Sequence, residues 1–216
     1  MEGFKVLGVQ WCLRGGTKLE FERRLASAWR RFHQLWPMLG YRKCSVPKRL
    51  KLLDSCVAGV LLWANNSWTL TQSEKKRIRT TQTAMVRKIV AVRRKPDEEY
   101  VSWMKRATNR ARQEAADAGV ADWQKQHLMA KWRWAGHVAR MPGDRWALKI
   151  SSWRSEYKGD KSWNRPLRFR PGAFARWEKD LDRFCASGGC ENWWEKASNK
   201  LEWKVLVSDF VVFCKV

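Results

Sequence analysis

The stretch KWRWAGHVARM, residues 131–141, decides how the rest of the chain is read. It packs two tryptophans, a histidine and three basic residues into about three helical turns. On a 3.6-residue period Trp123, His127, Trp134, Val138 and Met141 share one face, with Lys125, Arg133 and Arg140 roughly opposite. The expectation is a helix with Trp134 in a buried aromatic stripe and a cationic stripe left to solvent. Gly136 lies inside it, where glycine costs roughly 1 kcal/mol relative to alanine. Close approach by a neighbouring helix would offset that cost.

Outward from this helix the pattern stays helical, so the fold class is mainly α, with a short N-terminal β-hairpin ahead of a helical bundle and further helices. Residues 4–12, FKVLGVQWC, are apolar and β-prone, and Arg14, Gly15, Gly16 and Thr17 read as a turn. Helical spacing runs over 18–36, where Pro37 and Gly40 should end it. Pro47 suits the first turn of a helix over 47–63, whose apolar second half, with Cys56 and Trp63, should be buried on both sides. Thr71 and Glu74 have capping-box spacing. The helix behind them, to about Val92, buries Ile78, Met85, Ile89 and Val92 and turns Lys76, Arg79, Thr83, Arg87 and Arg94 outward. Further helices are expected over 97–117 and 144–153. Residues 155–172 change to a basic, Gly- and Pro-punctuated loop, followed by helices over 174–184 and 191–203. The alternation in 205–216 suggests a strand. The organisation expected is 1–17, 18–95, 96–154, 155–172 and 173–216.

Charge narrows the function. Forty-four lysines and arginines oppose 21 acidic residues, for a net +23. Self-repulsion of that size suits a polyanionic partner, and nucleic acid leads over an anionic membrane. Residues 47–95 hold twelve basic and two acidic side chains, the densest positive segment. Lys75, Lys76, Arg79, Arg87 and Arg94 are its candidates for nucleic-acid backbone contact, joined by Arg133 and Arg140 from the opening helix. Sixteen tryptophans could serve as core or as stacking platforms. Most follow apolar stripes; Trp163, in the basic loop, is the base-stacking candidate.

Other chemistries are poorly supplied. Cys185 and Cys190, with four residues between them, have no histidine at ligand spacing and read as free thiols rather than a metal pair. His127 and His137 point about 80° apart on one helix, too far to share an ion. No phosphate-cradling glycine loop and no nucleophile–base set occurs, so no catalytic residue, metal site or cofactor is expected. The six cysteines form no dense framework, no secretory leader pattern follows Met1, and no run of 18 apolar residues is present. These point to an intracellular protein without a membrane partner.

Several blocks, in this order and spacing, resemble the carboxy-terminal part of non-LTR (LINE-type) retrotransposon reverse transcriptases. They are FKVLG (4–8), LLDSCVAGVLLWANNSWTLT (52–71), KWRWAGHVARM (131–141) and DRW (144–146). The likeness spans about residues 4–155. It implies a primer-grip-like hairpin carrying Phe4, Leu7 and Gly8, a thumb-like helical domain over 18–95 and a downstream helical region. The metal-binding aspartates of that family precede the FKVLG block, so the resemblance carries no catalytic residue onto this chain and implies no polymerase activity for it alone. RNA or RNA–DNA duplex, held without sequence preference, would be the partner, together with a polymerase palm, in the nucleus. Ala64, Asn65 and Asn66 depart from the family's wording before Trp68, and the closing VLVSDFVVFCKV has no counterpart there. The alternative is a decayed retroelement product or a protein-interaction module.

Overall fold

The computed structural model describes residues 3–6, 8–12, 17–152, 177–190 and 192–215. Leu7, the basic loop over 155–172 and its Trp163 lie outside these residues. The chain is mainly helical. Ahead of the helices, Gly3–Val6 (β1) and Val9–Cys12 (β2) run antiparallel, with the backbone of Phe4 opposite Trp11. The reversal between these strands falls inside the FKVLG block, with Gly8 at φ +81°, while the turn expected over Arg14, Gly15 and Gly16 lies outside the described residues. The Gly8 carbonyl accepts from both Arg23 and Arg24 of the following helix, which seats the turn there.

That helix, α1 (Lys18–Gln34), buries Phe21, Ala28 and Phe32. Pro37 does not stop the chain's helical course: it occupies the first turn of α2 (Trp36–Leu39), where its missing N–H is harmless. α3 (Val46–Leu53) continues through a π-helical turn, Asp54–Ala58, into α4 (Gly59–Leu61). Asp54 Oδ1 in the π turn accepts from Trp123 Nε1 at 2.8 Å. The expected two-sided burial fails at its end, because Trp63 is 54% exposed.

α5 (Gln72–Val90) starts on the expected capping box: Glu74 N–H donates to Thr71 Oγ1, and Thr71 N–H donates to Glu74 Oε2. It buries Ile78, Met85 and Ile89. α6 (Tyr100–Asp117) lies along it and buries only Ala107 and Ala111, so the two backbones pack closely through small side chains. Asp122 then caps α7 (Trp123–Ala139), the helix of the KWRWAGHVARM block. α8 (Trp146–Ser152) follows, and after residue 176 come α9 (Lys179–Ala186), α10 (Trp193–Ser198), α11 (Lys200–Val205) and α12 (Val207–Lys215).

Two apolar clusters result. One joins α1, α3–α6 and Trp123 at the start of α7; the other joins Leu128, Trp132 and Ala135 of α7 to α9–α12. α7 belongs to both and is buried on most sides. That overturns the single-stripe reading of its surface: Trp132 is 1% exposed, whereas Trp134 is only half-buried. The Trp132 and Trp203 rings stack at 3.6 Å with 4° between planes, and each Nε1–H donates to the other's backbone carbonyl, at 2.8 and 3.0 Å. A Cβ on Gly136 would lie 2.4 Å from Trp203 Nε1, so the glycine is what admits that ring. The strand expected over 205–216 is helix instead. Phe210, Val211 and Cys214 recur at helical spacing and close the second cluster. Cys185 and Cys190 are bonded to each other and are not free thiols; Gly188, at φ +88°, folds the turn that brings their Cα atoms to 4.4 Å.

At the junction of the clusters sit buried charges. Lys75 of α5 and Lys131 of α7, 3% and 1% exposed, donate to Asp180 Oδ1 at 2.9 Å and Oδ2 at 2.8 Å. Burial alone would raise the Asp180 carboxyl, but the Lys131 and Lys75 ammonium groups more than reverse this, and it titrates below the usual carboxylate range. Burial, aided by the charge of Lys75, pushes Lys131 down despite the pull of Asp180.

His127 lies beside them with no exposed surface, its Nδ1 3.3 Å from Asn65 Oδ1 and its Nε2 without a hydrogen-bond partner among the described residues. Burial first, then the positive charge of Lys131 and Lys75, lowers its pKa to about 3. Between its unfolded value near 6.5 and that folded value the unfolded chain binds the extra proton, so stability falls as pH falls through this window. The expected slope approaches about 1.4 kcal/mol per pH unit below pH 6. Urea unfolding of wild type and His127→Gln between pH 7 and 5 checks this: the variant should have a flatter profile, and an unchanged slope would contradict the assignment.

Candidate nucleic-acid interface

α5 carries most of the cations proposed from sequence, and its packing sorts them. Lys75 turns inward to Asp180, so it is not part of an outward-facing stripe. Arg77 is spoken for by Glu22 of α1, with Nη2 at 3.0 Å from Oε2, and lies 5.5 Å over the Phe21 ring. Lys76, Arg79 and Arg87 remain. They line a cleft of about 520 Å³ bounded by α1, α5 and α6.

Across the cleft α6 adds Arg112, which the sequence reading missed, and Trp29 of α1 forms part of the wall. Thr80, Thr83 and Thr108 supply hydroxyls. The Thr83 hydroxyl donates back to the Arg79 carbonyl at 2.9 Å, leaving its oxygen lone pairs as acceptors. Arg87 Nη1 donates to Thr108 Oγ1 at 3.3 Å, which aims the guanidinium across the groove. No acidic side chain lines this cleft among the described residues. Arg79, Thr83 and Arg112 also line an adjoining cleft of about 220 Å³, where Asp122 is the one acid. The two make a continuous basic groove between α5 and α6. Its sequence signal was present in the arginines of 106–112, but only the α5–α6 pairing says which of them faces α5.

The other candidates are placed elsewhere. Arg94 donates to the Glu98 carbonyl at 2.7 Å, tying down the loop between α5 and α6. Arg140 donates to the Ala197 carbonyl, bracing α7 against α10. Arg133 is exposed and donates to the Met129 carbonyl at 3.2 Å; with Trp134 and His137 it lines a separate open cleft of about 450 Å³. Gly8 is held on α1, and the side chain of Phe4 and all of Leu7 fall outside what is described. Among the described residues no three His, Cys, Asp or Glu side chains gather as metal ligands, and no helix is long and apolar enough to cross a membrane.

Comparison with known proteins gives one informative likeness. The chain is 24% identical over 164 residues to a putative uncharacterized transposon-derived protein of Caenorhabditis elegans. The match takes in 74% of this chain and 53% of the relative, so the chain spans about half the length of the curated relative it matches. No protein family model and no solved structure matches the chain.

Proposed function

We propose that this chain is a non-catalytic nucleic-acid-binding segment of retroelement origin, corresponding to the primer-grip, thumb and downstream helices of a LINE-type reverse transcriptase. It contacts an RNA or RNA–DNA duplex through the α5–α6 groove. The observation that carries this reading is the groove itself: Lys76, Arg79, Arg87 and Arg112 converge on one cleft with no acidic residue in its main lobe. The transposon-derived relative and the block resemblance support the origin. In this reading the threonine hydroxyls and guanidinium groups contact phosphate and ribose, which position a duplex without specifying its sequence. The catalytic carboxylates belong to a palm, which is the natural protein partner, and the nucleus is the expected compartment.

Titrating a labelled RNA–DNA duplex at several salt concentrations tests the reading. Four phosphate contacts at about 0.9 each give a log–log salt slope of roughly −3 to −4. Micromolar or tighter binding with that slope is expected; absent or salt-independent binding overturns it.

The second reading is a decayed product or protein-interaction module with no nucleic-acid role. It draws on two large rings left in solvent, Trp63 and Trp146, 54% and 75% exposed. It predicts no salt-dependent duplex binding.

A further inference from the structure

Among the described residues, the ion pairs that join α5, α7 and α9 set two cations against one carboxylate. Two ammonium groups, Lys75 and Lys131, share the single carboxylate of Asp180, and each of its oxygens is already engaged. A buried pair with one cation left over is costly, because desolvation penalises the uncompensated charge by several kcal/mol. The surplus does not face a sealed core. Both lysines line a cleft of about 270 Å³ that opens between the first turn of α5 and α9. At its mouth stand Lys179 and Arg183, both exposed, and Thr71 and Gln72 at the capped start of α5 line the same space. Four cationic side chains thus surround one acid among the described residues of the lining. At about 30 Å³ per water, the space holds roughly nine waters, enough for a tetrahedral oxyanion with part of its shell.

We propose that this cleft binds a phosphate-class oxyanion, held by Lys75 and Lys131 from below and by Lys179 and Arg183 from the rim. The site is separate from the α5–α6 groove and does not depend on duplex binding there. The bound anion adds negative charge beside a network in which two lysines share one carboxylate, and so links the two apolar clusters that α7 joins. Two sources have the required chemistry: free inorganic phosphate, and the terminal phosphate of a nucleic-acid strand.

Thermal unfolding of the full chain tests this, at fixed pH and ionic strength, with sodium chloride replaced stepwise by sodium phosphate. Wild type should gain several degrees along a curve that saturates in the millimolar range. Lys179→Ala/Arg183→Ala, which alters exposed side chains only, should lose at least half of that gain, while Lys200→Ala/Lys204→Ala on the exposed surface of α11 should keep it. A linear, unsaturating rise of equal size in wild type and the rim variant is the general salt effect of phosphate and would overturn the proposal, as would no rise. A parallel series compares a short 5′-phosphorylated oligonucleotide with its 5′-hydroxyl counterpart. A rim-dependent shift specific to the phosphorylated strand assigns the site to strand ends. Saturation by inorganic phosphate alone, with the two strands indistinguishable, assigns it to the free ion.

Discussion

Asp180→Ala is expected to lower the folding stability by about 3–5 kcal/mol, because it strands two buried ammonium groups without a counter-ion. Lys75 and Lys131 come from α5 and α7, and Asp180 from α9, so the penalty falls where the two apolar clusters meet. Urea unfolding at pH 7 reads it directly. The triple replacement Lys75→Met/Lys131→Met/Asp180→Leu should recover much of the loss, since apolar groups of similar volume need no counter-charge. The stabilisation from Asp180 has a defined pH range. Its folded pKa is depressed, so the contribution is complete above the unfolded carboxylate value near 4 and disappears as pH falls through the folded one. A loss below about 1 kcal/mol for Asp180→Ala would show that the network is solvated and of little consequence.

Trp132→Ala should cost about 3–5 kcal/mol, while Trp134→Ala should cost about 1 kcal/mol or less. The two residues are neighbours in one helix and identical in chemistry, so the comparison isolates burial. Trp132 stacks on Trp203 and meets Phe184 edge-on; its indole N–H donates to the Trp203 carbonyl, and its own carbonyl accepts from the Trp203 indole N–H. Trp134 leans on His137 at 5.7 Å over an open cleft. Equal losses would mean that α7 is rotated relative to the packing described here.

What could be read in advance from the residues follows how local each cause is. The Thr71–Glu74 box and the Ile78, Met85 and Ile89 stripe depend only on neighbours within α5, and both were legible. Gly136 was legible as a position needing close approach, though not that Trp203 fills it. The face of α7 was misread because a helix packed on two sides has no single apolar stripe; Lys131 and Gln124 are buried along with Trp123 and Trp132. Lys75 looked like one more cation on a basic helix, since its partner Asp180 lies 105 residues away. Arg112 went unnoticed for the same reason: α6 read as a polar surface until α5 gave it an inner side. The tail at 205–216 alternates like a strand, yet without a strand to pair with it is helical, and Phe210, Val211 and Cys214 find their place in the second cluster.

On the proposed function, one groove, and not the +23 charge as a whole, holds the nucleic acid. Arg79→Glu/Arg112→Glu changes the groove, and Lys200→Glu/Lys204→Glu makes the same charge change on the exposed surface of α11. The decisive measurement is the salt dependence of RNA–DNA duplex affinity for both variants beside wild type. The groove variant should lose most of its affinity and about 2 from the slope, at about 0.9 per phosphate, while the α11 variant stays close to wild type. Equal losses in the two variants would contradict the account and leave net charge as the whole explanation.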